Sequence, residues 1–192
     1  MMKKISLCLM VALSACTFQA CNENKRNSDD SVENANDAND LKEQAGSGEK
    51  DDENDFAVKA ANGGMFEMEL AKMAQEKAAS KDVKEFAAMM LTDHMAASEE
   101  LKAIAAKKNI TLPTTLGKDE QEDVDEMAKL TGAEFDKKYV DAMVEDHEKD
   151  VKLFQEASIA GQDPDLKQFA GKTLPTLQKH LERITTIDKN MQ

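Results

Sequence analysis

Four long stretches of this chain repeat apolar residues at alternating three- and four-residue spacing, which is the period of one face of an α-helix. The first runs from about Asp55 to Ala79, with Phe56, Phe66, Leu70, Met73, Ala74 and Lys77 on its stripe. The second runs from an N-cap at Ser80 to about Lys108, with stripe Val83, Ala87, Met90, His94, Ala97, Leu101 and Ile104. Asn109 can take the left-handed C-terminal position, and Pro113 blocks continuation. The third runs to about Ser158 with stripe Val140, Met143, His147, Val151 and Phe154. Thr131-Gly132-Ala133-Glu134 reads as its capping box, bracketed by Leu130 and Phe135. Asp163 and Pro164 start the fourth as N-cap and first helical residue. Its stripe is Leu166, Phe169, Ala170, Leu174, Leu177, Leu181 and Ile184, with Pro175 inside as an expected kink. Gly63 and Gly64 interrupt the first stripe, which predicts a close helix approach or a kink.

Four such stripes bury one another most simply as an all-α four-helix bundle. The link between the second and third helices exceeds twenty residues and holds a short extra helix, about Lys118 to Leu130. A long middle connection fits a ferritin-like crossover better than an up-down bundle. Composition agrees: Met is abundant at 12 residues, aromatics are only 4%, and Trp is absent. Few aromatics and no alternating strands argue against a porin barrel. A net charge of -13 argues against binding nucleic acid through bulk electrostatics.

Residues 1–21 read as a lipoprotein signal peptide. Lys3 and Lys4 precede a short apolar run, Ile5 to Leu13, too short to span a bilayer. Leu13-Ser14-Ala15-Cys16 has the form of a bacterial lipobox, so cleavage falls before Cys16 or before its rival Cys21. Acylation at Cys16 or Cys21 with a further N-linked chain predicts stable membrane anchoring. All three cysteines, Cys8, Cys16 and Cys21, lie in this segment, so thiol chemistry and disulfides are excluded from the mature domain. Residues 22–55 carry twelve acidic and four basic residues, seven Asn and five apolar residues. That composition predicts a disordered acidic linker, which leaves 56–192 as the helical domain.

The three histidines of the chain fall on three different helices: His94, His147 and His180. The first two sit in apolar stripes; His180 lies at the edge of its own, between Leu177 and Leu181. On the first helix Glu67 is nearer the buried face than Glu69, at 100° per residue. Glu67 with the three imidazoles forms a donor set suited to iron, zinc or copper. Met90 and Met143, four residues before a His, would add soft ligands for copper(I). The second and third helices also share a pattern: Phe86, Met90, Asp93, His94 and Leu101 match Tyr139, Met143, Asp146, His147 and Phe154 in spacing. Against a metal stands the ordinary role of a core His that hydrogen-bonds a carboxylate, and of Met as core filler. A di-iron site needs Glu three residues before His on two helices; Leu91, Val144 and Leu177 stand there instead. No Gly-x-Ser-x-Gly elbow and no phosphate-cradling Gly loop is present.

In order along the chain come Asn62-Gly63-Gly64, Glu67-x-Glu69-Leu70-Ala71, Val83-Lys84-x-Phe86-Ala87, Met90-x-x-Asp93-His94 and Leu112-Pro113. Phe135-Asp136-x-x-Tyr139, Met143-x-x-Asp146-His147 and Leu174-Pro175-x-Leu177-x-x-His180-Leu181 follow. Together these resemble the family of domain of unknown function 4142, often labelled predicted outer-membrane protein. The resemblance covers about residues 54–187. It implies a ferritin-like bundle exported to the bacterial envelope, and it carries no established activity; joined to the lipobox it predicts a lipid-anchored domain at the outer membrane, facing the periplasm or the surface. Two readings of function stand: a binding or structural module of an envelope lipoprotein, or a transition-metal site for storage, buffering or stress defence. Neither supplies a complete catalytic constellation.

Overall fold

The structure is a computed structural model that describes residues 30–48 and 51–191. The expected signal peptide, with Cys16 and Cys21, lies outside the described residues. Among the described residues there are six helices and no strands: α1 (Ser31–Gln44), α2 (Asp51–Lys77), α3 (Lys81–Lys108), α4 (Lys118–Met127), α5 (Gly132–Ala160) and α6 (Pro164–Met191). None of them is long and apolar enough to cross a membrane.

The four long helices are those that the stripes predict. α2 packs on α3, α5 on α6, and the two hairpins pack through α2 against α5 and α3 against α6. Hydrogen bonds give the directions. Glu53, at the start of α2, accepts from Gln162 and Asp163 N–H at the α5–α6 turn (2.9 and 3.3 Å). Asp136, at the start of α5, accepts from Ala79 and Ser80 N–H at the α2–α3 turn (3.1 and 2.7 Å). Each hairpin thus clasps the other's turn with a buried carboxylate, and neighbouring long helices run antiparallel. The crossover from α3 to α5 therefore travels the full length of the bundle, as a ferritin-like connection must. Asn62 pins it midway, accepting from Gly117 N–H at 2.8 Å.

Local signals work as their chemistry dictates in most places. Ser80 caps α3 through Val83 N–H, and Asn109 ends it in the left-handed conformation at φ 59°. Asp163 Oδ1 accepts from Asp165 and Leu166 N–H at the start of α6. Two expectations need correction. Thr131 stands at the α5 N-cap, but its side chain makes no cap hydrogen bond, so the capping box does not close; Gly132 takes φ +62° there. Gly63 and Gly64 do not interrupt α2, which runs unbroken through them. A Cβ at Gly63 would stand in ordinary van der Waals contact with Asp150 Oδ1, at 3.5 Å, and one at Gly64 with His94 Nδ1, at 3.9 Å.

The largest correction concerns the acidic linker. Residues 31–44 of it form α1, which packs on α2, and α2 itself begins at Asp51. An apolar stripe does not dock α1, whose one buried apolar residue is Ala35. A buried amide does. Asn39 donates to Thr111 C=O at 3.0 Å and accepts from Thr111 N–H at 2.7 Å, pairing with the crossover strand-fashion. Ser31 Oγ accepts from Thr114 N–H, and Asp30 Oδ2 from Lys118 N–H. Composition argues from missing apolar area and so overlooks a helix held by polar pairing to a backbone that needs partners anyway.

The core is split in two. One cluster, including Phe66, Leu70, Phe86, Met90, Tyr139 and Ile184, fills the end that holds the α2–α3 turn. The other, including Phe56, Leu101, Phe154, Phe169 and Leu177, fills the end that holds the α5–α6 turn. Between them lies a layer of buried ionisable side chains.

Replacing Asn39 by Ala removes both hydrogen bonds and leaves the Thr111 amide unpaired, a loss of about 1–3 kcal/mol. Hydrogen exchange should then show α1 amides unprotected while those of α2, α3, α5 and α6 keep their protection. Continued α1 protection would contradict the amide clasp.

Candidate metal centre

α2, α3, α5 and α6 each send one side chain into the layer: Glu67, His94, His147 and His180 respectively. All four are buried, at 0%, 7%, 0% and 1% exposure. Glu69, one residue pair away on α2, faces outward and pairs with Lys72. One nitrogen from each of the three rings lies within 4.8 Å of those of the other two. The ring centroids form a near-equilateral triangle, 5.4 Å (His94–His180), 5.5 Å (His147–His180) and 6.1 Å (His94–His147). Among the described residues this is the group of His, Cys, Asp and Glu side chains whose donors converge closely enough to hold an ion. A tetrahedral ion at 2.0–2.1 Å from imidazole nitrogens sets them about 3.3 Å apart, so a modest contraction of the triangle closes it.

His147 and His180 are each held by a hydrogen bond at one nitrogen and leave the other unpartnered; His94 has a close carboxylate at one nitrogen and a bare second one. His147 Nδ1 lies 2.9 Å from the Met143 carbonyl. A carbonyl only accepts, so Nδ1 carries the proton and Nε2 keeps the lone pair. His180 Nε2 lies 2.9 Å from Asp93 Oδ2, which places its proton on Nε2 and the lone pair on Nδ1. His94 Nδ1 lies 3.0 Å from Glu67 Oε2. The nitrogens left over are His94 Nε2, His147 Nε2 and His180 Nδ1, all buried and without a protein hydrogen-bond partner. A core histidine kept for packing normally satisfies such an atom, because leaving it bare costs about 1–3 kcal/mol.

Glu67 stands on the held side of the rings. Its Oε1 is 3.1 Å from His147 Nδ1 and its Oε2 3.0 Å from His94 Nδ1. These contacts have ion-pair distance without hydrogen-bond alignment, so both oxygens count as unsatisfied. The sequence grouped Glu67 with the imidazoles as a ligand; its position suits a carboxylate that backs two ligand rings. Asp93 backs the third from across the bundle, on α3 against α6. Adjacent Asp-His pairs therefore do not bond within themselves, and the matching Asp146 leaves its buried Oδ2 without a partner. Met90 and Met143 fill the adjacent apolar cluster. Phe86 turns its ring edge to His147 and His180, each at 6.2 Å.

Burial sets the charge of the layer. It holds the His147 imidazole down at about 3, with His94 and His180 reinforcing it. It lowers His94 against the pull of Asp150, Asp146 and Asp93, and lowers His180 against the hydrogen bond to Asp93. The three rings are neutral at pH 7, the state that binds metal. Burial likewise pushes the Glu67 carboxyl up to about 8, and burial with Glu67 pushes Asp146 up to about 8 and Asp150 well above the usual range.

Fold and site define a class: a ferritin-like four-helix bundle whose core is crossed by a three-histidine layer. The chain belongs to the family described as domain of unknown function (DUF4142), whose model matches residues 38–187. That match begins inside α1, in the segment whose composition reads as linker. A solved structure, the DUF305 fragment from Deinococcus radiodurans, is similar at TM-score 0.65 and 10% identity, over 74% of this chain and 99% of that one. At that identity the likeness speaks for the fold alone. No curated protein matches the chain.

The shifts fix a pH dependence. Folded Glu67 keeps its proton up to about 8, whereas the unfolded chain releases it near 4.5. Folded protein thus binds more protons between these values, and metal-free stability falls as pH rises through them. His147 acts below: the unfolded ring charges near 6.5 and the folded ring near 3, so stability also falls as pH drops through that window. Between pH 6.5 and 8 the carboxyl effect acts without opposition from His147. Urea titrations there should show stability declining with pH, about 1–2 kcal/mol of it from Glu67. Glu67→Gln should make that decline shallower, with Asp146 and Asp150 supplying the remainder; an unchanged slope would refute the assignment.

Proposed function

We propose that this bundle binds one divalent first-row transition-metal ion through His94 Nε2, His147 Nε2 and His180 Nδ1. The observation that carries this reading is the set of three bare, buried nitrogens on rings whose opposite nitrogens each face a carbonyl or a carboxylate. Ring orientation by a carbonyl or carboxylate is the usual outer shell of a metal-bound imidazole. Three neutral nitrogen donors suit zinc, copper, nickel or iron(II), and hard ions such as calcium and magnesium are poorly served. Three protein ligands also leave a coordination position for an exogenous ligand. Loading would favour ionised Glu67: with Nε2 on the metal, His94 and His147 carry protons on Nδ1, facing the carboxylate. The charge of the ion is then met inside the core by Glu67 and at its edge by Asp93.

The coarser part of the function is the family's own: a domain of unknown function on a helical bundle. The lipobox ending at Cys16, with Cys21 as its rival, supports an envelope lipoprotein, and the location proposed is the outer membrane, facing the periplasm or surface. The sequence carries neither a nucleophile elbow nor a di-iron motif, and the role put forward for the site is metal storage, buffering or stress defence.

The test is metal analysis of full-length protein purified without a His tag and equilibrated with zinc(II) or cobalt(II). One ion per chain is expected, with the melting temperature rising as metal is added. His94→Ala with His147→Ala should abolish both effects. Asp93→Asn, which leaves all three ligands, should weaken affinity about 10–100-fold. Retention of full stoichiometry by the double variant would sink the proposal.

A further inference from the structure

The two sides of the histidine layer are not equivalent. Toward the α2–α3 turn it is sealed: Phe86, Met90 and Met143 are buried to 1% exposure or less. Toward the α5–α6 turn a cavity of about 30 Å³ adjoins the layer, bordered by His94 and Asp150. That is room for a single water-sized occupant. Its floor includes Leu101 and Phe154 from the cluster at the α5–α6 end. Its outer wall is made of small, half-buried residues of α2 and α3: Ala61, Gly64, Ala97 and Ser98. Asp150 stands in it as a buried carboxylate, with Gly63 beside it on α2.

We infer that this cavity is the passage by which a divalent cation enters and leaves the three imidazoles, with the Asp150 carboxylate and His94 as its first contacts. The inference rests on the metal reading. A cation with a full hydration shell is far larger than one water, so it must shed ligands to enter. A carboxylate and an imidazole at the threshold replace part of what is lost. Small side chains on the outer wall let α2 and α3 part by the least movement at that point. On the sealed side the wall is aromatic and thioether, fully buried, with the Tyr139 hydroxyl behind Phe86.

The experiment loads full-length protein with cobalt(II), whose visible absorption reports the nitrogen-bound ion, and follows its release to excess EDTA. Three variants are compared, each checked for helical content. Ala97→Leu narrows the outer wall, Leu101→Ala widens the floor, and Val83→Ala loosens the far cluster as a control for general destabilisation. Relative to the unaltered chain, release should be about tenfold slower in Ala97→Leu and about tenfold faster in Leu101→Ala, with little change in Val83→Ala. Equilibrium stoichiometry should stay at one ion in all three. Should Ala97→Leu not fold, the contrast between Leu101→Ala and Val83→Ala decides. Equal acceleration by those two, or an unaltered rate in a folded Ala97→Leu, overturns the passage while leaving the ion site intact. Absence of cobalt binding by the unaltered chain overturns the site itself.

Discussion

His147 donates its Nδ1 proton to the carbonyl one turn back in its own helix, at Met143, from a position with no exposure at all. That bond fixes which nitrogen faces the interior, and the rest of the layer is arranged around it. His94 and His180 bring their own rings to within 6.1 and 5.5 Å of it, centroid to centroid. Glu67 lies against the Nδ1 edges of both His94 and His147. Polar groups placed so deep would be cheaper as leucines, since a buried polar atom without a partner destabilises and an apolar replacement does not. The bundle keeps them at the cost of dividing its core into two clusters. Such an arrangement is expected where the layer has a task other than packing.

The scaffold holds the layer by clasping both ends. Asp136 secures the α2–α3 turn and Glu53 the α5–α6 turn, so the hairpins cannot slide along each other without losing paired carboxylates. Along one flank Asn62 ties α2 to the crossover, and Asn39 ties α1 to it. The same Asn62-Gly63-Gly64 segment thus serves the crossover with its first residue and lies against Asp150 and His94 with the next two. Bundle register and imidazole geometry are consequences of one set of contacts.

Apolar period was enough to locate α2, α3, α5 and α6, because burial of a stripe is what makes those helices. It also placed His94 and His147 on inward faces and chose Glu67 over Glu69, at 100° per residue; it left His180 at the edge of its stripe, where the structure buries it. Three things were beyond it. α1 was hidden because Asn39 docks it through hydrogen bonds, which leave no trace in hydropathy. Which ring nitrogen is free was hidden because it depends on Asp93 reaching across to His180 from another helix; adjacency to His94 in the sequence points to the wrong ring. The part played by Glu67 was hidden for the same reason: the facing of a helix says that it is buried, not which edge of an imidazole it meets. The resemblance carried by the ordered motifs agrees with the family match, which extends further toward the N-terminus, to residue 38.

The central claim is that three imidazoles make one coordination sphere. X-ray absorption at the metal edge of zinc-loaded protein tests it most directly. The account predicts three imidazole nitrogens at about 2.0–2.1 Å, with the outer-ring scattering of histidine and a light-atom fourth ligand. A shell of six oxygens, without imidazole scattering, would contradict it.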